Sequence, residues 1–265
     1  LHCVTRRQRQ MCIRDSLGYG HRDSGSNKCN LDLVDTRNLH SFSCTQTLKE
    51  IIFHSMMTTQ LTAINWAKVL TIAVIAVLIA LFGINGQRQI LYACMHISYC
   101  VWWLLEQKIY PDRCKQIFTE KVDAVGFIGA LLIVGVFYSL PAFLAFTNPT
   151  ELSIAATATA IPLFYFGSLI NTAADIQKTT AKASGAGLVR SGIWSGVRHV
   201  NYTGDLMRYL SFSVVAGSLW AFLVPLSILV LYVQRIRAKE ALMRSKYQDF
   251  SDYKSTSFRL IPGIW

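Results

Sequence analysis

Tyr209-Leu210-Ser211-Phe212-Ser213-Val214-Val215-Ala216-Gly217-Ser218-Leu219-Trp220-Ala221-Phe222-Leu223-Val224-Pro225-Leu226-Ser227-Ile228-Leu229-Val230-Leu231-Tyr232-Val233-Gln234 carries no charge from end to end. About 20 apolar residues suffice for one helix to cross the hydrocarbon core of a bilayer, so this run is long enough for a single tilted span. Its flanks argue otherwise. Arg190, Arg198 and Arg208 precede it, and Arg235, Arg237 and Lys239 follow. Basic loops gather on the cytosolic side of a membrane, whereas a single span would put these two groups on opposite sides. Gly217-Ser218 stands in the middle of the run. The spacing therefore predicts two short helices, about 205–216 and 219–235, folded as a hairpin. The rival is one helix kinked at Pro225 that breaks the charge rule.

Four further stretches are as apolar. Residues 69–87, 124–150 and 152–174 are uncharged, and residues 89–105 carry His96 with Trp102 and Trp103 near the end, as suits a membrane interface. A helix in a soluble core needs a polar face, and these have none. The basic connections 106–123 and 175–208 and the tail after 234 then fall on the cytosolic side. The expected fold is all-α: a polytopic transmembrane bundle of five or six hydrophobic helices, the last two a short hairpin, with a cytosolic C-terminal segment.

Composition agrees. Of 265 residues 52% are hydrophobic and only 15% charged, against about a quarter charged in soluble domains. The net charge of +11 fits cytosolic loops or an anionic ligand. It does not point to nucleic acid, because long uncharged stretches break it up. The cysteines at 3, 12, 29, 44, 94, 100 and 114 are odd in number and include no CxxC pair, so neither a disulfide framework nor a zinc site is indicated. No metal site is expected.

Residues 1–55 read differently. They are polar and aperiodic, and 6–16 look like translated adapter sequence. We expect a disordered leader or a sequence artefact, with translation starting at Met56 or Met57, and a single transmembrane domain over 56–265. A targeting peptide is the rival, but the segment holds five acidic residues and lacks a compact apolar core.

The polar residues are densest at 175–205 and after 235, and the hairpin would bring the two stretches to one face. The first holds Gln177-Lys178, Ser191-Gly192-Ile193-Trp194 and Arg198-His199-Val200-Asn201-Tyr202-Thr203-Gly204-Asp205-Leu206. Lys and Arg neutralise phosphate, Arg with a bidentate fork. Trp194 or Tyr202 can stack on a base, Asn201 can bond an amide, and Asp205 a ribose or adenine donor. A basic loop that merely meets anionic headgroups needs no such mixture. Gly185-Ala186-Gly187 begins like GxGxxG, but Arg190 stands at the third glycine and no strand precedes it, which excludes a Rossmann site.

At these residues the sequence resembles the Δ14- and Δ7-sterol reductases, the group of 7-dehydrocholesterol reductase and the lamin B receptor. The matching residues are Gln177-Lys178, 191–194, 198–206, Lys246-Tyr247, Tyr253 and 259–262, about 90 residues in the C-terminal third. The resemblance implies a reductase that binds NADPH between the last helices and the tail. Hydride would pass to a carbon–carbon double bond of a lipid-soluble substrate, with a proton to the other carbon. Carried over by position, Lys178, Trp194, Arg198, His199, Asn201, Tyr202, Asp205, Arg235 and Tyr247 would line the cofactor site, within a cofactor-binding part spanning 175–265. The catalytic residues are not identified: Tyr138, Tyr165 and Glu106 are possible proton donors that read more simply as structural.

Two departures stand out. Ala238-Lys239-Glu240 replaces the family's Arg-Asp-Glu, putting a base where an acid contacts cofactor, and Lys182 replaces an Arg. The family's chains also have about ten spans. Smaller relatives of the superfamily include the steroid 5α-reductases and the isoprenylcysteine carboxyl methyltransferases. An S-adenosylmethionine-dependent methyltransferase of that type, supported by helix count and the Arg-His…Tyr-x-Gly core, is therefore the alternative, and a non-catalytic membrane protein a second. Membrane lipid is the surrounding partner in each case. The membrane would be endoplasmic reticulum or plastid in a eukaryote, the inner membrane in a bacterium.

Overall fold

Gly217 takes φ +66° and Ser218 is extended, so the helix ending at Ala216 cannot continue. The left-handed conformation costs glycine little and other residues more. A computed structural model describes residues 57–265; the leader expected over 1–55 lies outside them. Six long helices follow in order: α1 Gln60–Phe82, α2 Gln87–Ile109, α3 Ala124–Thr147, α4 Ile154–Ala183, α5 Val200–Ala216 and α6 Leu223–Lys246. A 3-10 turn at Leu219–Phe222 leads into α6, and a short α7, Phe250–Thr256, closes the tail. Two-residue strands β1, Thr58–Thr59, and β2, Lys121–Val122, pair antiparallel.

The hairpin is present. Tyr202 of α5 stacks on Tyr232 of α6 with ring centres 4.1 Å apart, and Ser213 donates to the Ala221 carbonyl at 2.9 Å. The residues nearest the turn thus meet each other, and those farthest from it do the same, as antiparallel helices require. Both ends of the bundle are pinned. At one end the β1–β2 pair holds the start of α1 to the 106–123 connection, and Arg113 of that connection bonds Asp175 of α4 at 2.6 Å. At the other, the buried Arg88 donates to the carbonyls of Thr150, Glu151 and Val215. It thereby gathers the α1–α2, α3–α4 and α5–α6 turns.

Four helical stretches are long and apolar enough to cross a membrane: Gln60–Phe82, Ala124–Thr147, Ile154–Ala183 and Leu219–Lys246. The protein is an all-α membrane bundle. Helix α2 is more polar because its polarity points inward. Arg88, Gln89, His96 and Glu106 are buried, while Ile90, Val101, Leu105 and Ile109 are exposed on its outer face. Inside, polar groups find partners. His96 Nδ1 lies 3.0 Å from the Tyr92 hydroxyl and the ring stacks on Phe212 at 4.3 Å. Lys68 of α1 rests its ammonium over the Tyr99 ring at 4.3 Å.

Several helices outrun the apolar stretches that announced them. α4 continues past 174 to Ala183, and α6 past 235 to Lys246. α5 starts at Val200, ahead of 205, and α1 at Gln60, ahead of 69, with Thr59 capping the Thr62 amide at 3.2 Å. Hydropathy marks where lipid ends, whereas Ala, Lys, Arg, Glu, Leu and Met all sustain helix beyond that point.

Helices α4 and α5 form the closest contact in the bundle. A Cβ at Gly204 would sit 2.6 Å from the Gly167 carbonyl oxygen and 2.8 Å from the Asn171 amide; one at Gly167 would meet the Gly204 carbonyl at 2.6 Å. Small residues let membrane helices approach backbone to backbone. Gly204→Ala forces the helices apart and is expected to destabilise by about 1–3 kcal/mol, as overpacking does. Gly129→Ala, with nothing within 4 Å of the new methyl, is expected to be neutral or to gain up to about 1 kcal/mol of helix stability. Thermal denaturation of both variants in detergent measures the difference.

Candidate functional site

The α4 end, the 184–199 loop, the start of α5, the far half of α6 and the tail converge at the end of the bundle that holds Arg113. The loop is shaped first. Gly192 has φ +61°, and a Cβ there would fall 2.2 Å from the Gln177 amide nitrogen. Gln177 uses that space to donate to the Ser191 carbonyl at 3.0 Å and to accept from the Ile193 amide at 3.1 Å. The turn delivers Trp194 inward, where its indole donates to the Ala174 carbonyl at 3.1 Å. Tyr253 of α7 bonds the Trp194 carbonyl from the other side.

The tail is laid against residues 196–199 by backbone bonds. Phe258 N donates to Gly196 O at 2.9 Å, Arg198 N to Phe258 O at 2.8 Å, and His199 N to Arg259 O at 3.0 Å. Glu240 of α6 fixes this arrangement. It accepts from Arg198 Nε at 3.1 Å and from Arg259 Nε at 3.1 Å. Arg198 also donates to the Ser257 hydroxyl at 3.0 Å and the Lys254 carbonyl at 3.2 Å. Arg198 and Glu240 are both buried, 5% exposed each. Breaking such a pair by removing one partner costs about 3–5 kcal/mol.

Between these elements opens a solvent-open cleft. Six of the nine residues expected at a cofactor site line it: Lys178, Trp194, Arg198, His199, Asn201 and Tyr247. Tyr202, Asp205 and Arg235 do not. Tyr202 lies behind the wall, between His199 and Tyr232 in an aromatic stack. Asp205 accepts from Arg208 and Tyr232 inside the bundle. Arg235 lies one turn before Lys239 on the same side of α6, beside the cleft lining rather than in it.

Lining residues that the motif reading did not select are Lys182, Leu188, Val189, Lys239, Met243 and Tyr253. The signal was helical spacing. Lys178 and Lys182 are four apart on α4, as are Lys239 and Met243 on α6, so each pair shares a face. That spacing becomes usable only when α6 is read as helix beyond 235.

The electrostatics are one-sided. Lys178 lies over the Trp194 ring at 5.3 Å, and Lys239 over the Tyr202 ring at 4.8 Å. Lys182 bonds the Tyr247 hydroxyl at 3.0 Å and the Ala186 carbonyl. None of the three makes an ion pair with a carboxylate among the described residues. The Lys182 bond pulls the Tyr247 hydroxyl below its usual pKa. His199 lies in the same wall with its Nε2 buried and unpartnered among the described residues, 3.6 Å from Glu240. Burial pushes its pKa down to about 4 against the pull of Glu240, so the ring is neutral at pH 7. A row of cations without a direct ion pair among the described residues, beside an aromatic wall and a free ring nitrogen, suits a ligand that brings phosphate and hydrogen-bonding groups.

The sequence profile of a family described as "Protein of unknown function (DUF1295)" matches residues 50–257. The chain belongs to the DUF1295 family. Named relatives of this DUF1295 protein are reductases. A Delta(14)-sterol reductase of Arabidopsis thaliana is 26% identical over 203 residues, which cover 69% of this chain and 54% of the relative. The Delta(14)-sterol reductase erg24 of Schizosaccharomyces pombe is 27% identical over 193 residues, 64% and 45% of the two chains. A 7-dehydrocholesterol reductase of Danio rerio is 35% identical over 82 residues, 29% and 17%. The sterol reductase resemblance is thus borne out, and it reaches well beyond the C-terminal 90 residues that first carried it. The chain spans about half the length of the first two relatives.

Two outcomes test the geometry. Glu240→Gln unpairs Arg198 and Arg259, and the tail is expected to release, read as faster trypsin cleavage at Lys254. Between pH about 6.5 and about 4 the unfolded chain binds a proton at His199 that the folded chain refuses, so stability falls as pH falls through that window. His199→Asn removes this contribution, and its melting temperature should drop less than that of the wild type from pH 7 to pH 4.5.

Proposed function

We propose that this DUF1295 protein is an NADPH-dependent reductase of a carbon–carbon double bond in a sterol-like, lipid-soluble substrate, acting at the cytosolic face of its membrane. The observation that carries the reading is the cleft: three lysines that form no ion pair among the described residues, set beside Trp194 and Asn201, in a chain whose relatives are named sterol reductases.

The residues fit the cofactor. Lys178, Lys182 and Lys239 supply positive charge for phosphates, and Lys239 adds a cation where the resemblance leads one to expect an acid. Trp194 and Tyr247 offer ring faces. Asn201 is half-buried and only weakly engaged with Asp175, at 3.4 Å, so its amide is available to a carboxamide. His199 Nε2 accepts a hydrogen bond as the neutral ring. Bound NADPH would supply the hydride for one carbon of the double bond, the other carbon taking a proton. Arg198, placed on Glu240 and on tail carbonyls, positions the wall and holds the tail closed over it.

S-adenosylmethionine is the rival ligand. It carries no phosphate, and its sulfonium would add a further positive charge to the lysine wall. The two readings separate in one measurement on the full-length protein in detergent. A ligand at about 100 times its Kd stabilises by roughly 2.7 kcal/mol, so NADPH should raise the melting temperature and S-adenosylmethionine should not. A shift with S-adenosylmethionine alone sinks the reductase reading. Charge-assisted hydrogen bonds contribute about 1.5–3 kcal/mol each, so Lys178→Met and Lys239→Met should each weaken NADPH about 10- to 100-fold by calorimetry.

A further inference from the structure

Asp175 of α4 does not line the cleft, yet it bonds a residue that does. It is the first charged residue after the uncharged run 152–174. Its two carboxylate oxygens have different partners. Oδ2 accepts from Arg113 twice, from Nε at 3.1 Å and from Nη2 at 2.6 Å. Arg113 turns its remaining nitrogen, Nη1, toward Glu106 at 3.4 Å, and Glu106 accepts from the Trp102 indole at 2.6 Å and from the Thr172 hydroxyl at 3.0 Å. That set ties α2, the 106–123 connection and α4 together, and it makes no use of the Asp175 Oδ1. This oxygen faces the Asn201 amide nitrogen at 3.4 Å, the only hydrogen bond of that side chain among the described residues.

The contact is long and adds little energy, but it decides which way the amide points. A carboxylate accepts and does not donate, whereas an amide side chain has one donating and one accepting end. The reverse orientation would set two acceptors against each other at the same distance. Further contacts remove other freedom. Asn171 of α4 donates to the Asn201 backbone carbonyl at 2.8 Å, and the Gly167–Gly204 contact holds α4 and α5 at one spacing about a turn away. The side-chain carbonyl of Asn201 is the end left for the cleft.

We propose that Asp175 is a positioning residue that makes Asn201 an acceptor toward the ligand, so that the cleft selects a cofactor ring bearing a donating carboxamide. The proposal rests on the reductase reading for the identity of that ligand. Asn201 stands at the membrane-ward end of the cleft, because Lys178 and Lys182 follow Asp175 by about one and two turns of α4. A hydride donor must reach a lipid-soluble substrate, so the nicotinamide belongs at this end and the phosphates at the lysines. An accepting oxygen there meets the amino group of the carboxamide.

The test compares two dinucleotides by calorimetry on the full-length protein in detergent: NADPH and its reduced 3-acetylpyridine analogue, in which a methyl group replaces the carboxamide nitrogen. The wild type is expected to bind NADPH about tenfold tighter, the weight of one neutral hydrogen bond. In Asp175→Asn the side chain at 175 can donate as well as accept, so Asn201 is free to turn over and donate to the acetyl oxygen. The preference should shrink to about twofold or less as that hydrogen bond ceases to discriminate. A role in folding alone would weaken both ligands by the same factor and leave the ratio unchanged, and that result overturns the proposal. If Asp175→Asn does not fold because Arg113 is left unpaired, the double variant Arg113→Gln/Asp175→Asn, which removes the charge on both sides, takes its place. No preference for NADPH in the wild type also overturns the proposal but leaves the reductase reading in place, since NADPH is bound. A wild type that binds neither dinucleotide removes the reductase reading itself, and the proposal falls with it.

Discussion

Everything at the polar end of this bundle depends on one carboxylate. Among the described residues Glu240 is the only acidic residue placed between Arg198, at the start of α5, and Arg259, in the tail. A buried ion pair is a poor source of net stability, because desolvation offsets its Coulomb energy. What it supplies here is location. Without it the backbone bonds between tail and loop would have to hold together three basic segments that repel one another. With it the loop, α6 and the tail close around a space in which the remaining cations face inward and are left for something else to neutralise.

The middle of the membrane domain follows the opposite logic. Helix α2 hides its polar residues and shows lipid its apolar ones. Charge inside a bilayer is expensive and is retained where partners or cavities make use of it. Arg88 spends its donors on carbonyls at helix ends, which would otherwise be unsatisfied in lipid. Glu106, Arg113 and Asp175 form a second buried group. Neither set needs to be catalytic to be indispensable: the first fixes the turns at one end, and the second joins α2 and α4 to the base of α5.

Much of this architecture was legible in the residues. Basic flanks around an uncharged run, with Gly217-Ser218 at its centre, give the hairpin by charge alone. The order of the Arg198–Asp205 motif locates the cleft, since six of its chosen neighbours line the wall. The misreadings share one cause. Periodicity in residue type shows which side chains are neighbours on a helix, but only if the helix is known to persist. Treating α6 as ending near 235 hid Met243 and left Lys239 as a departure from the family's pattern rather than one face of a helix, and treating 198–206 as a single functional string put Tyr202 and Asp205 on the cleft. In a helix starting at Val200, Asn201 and Asp205 lie four apart on one side, but Asp205 sits a turn deeper and accepts from Arg208 and Tyr232.

The contact between Gly167 and Gly204 has a consequence for motion. With no layer of side chains between them, α4 and α5 cannot slide past each other without backbone collision, so Lys178 and Asn201 keep a fixed separation. The opposite wall of the cleft belongs to α6 and α7, which are joined to α5 by a glycine turn and to the tail by ions. One wall of the cleft is thus set by a backbone contact and the other by side chains, the Tyr202–Tyr232 stack and the Glu240 ion pairs.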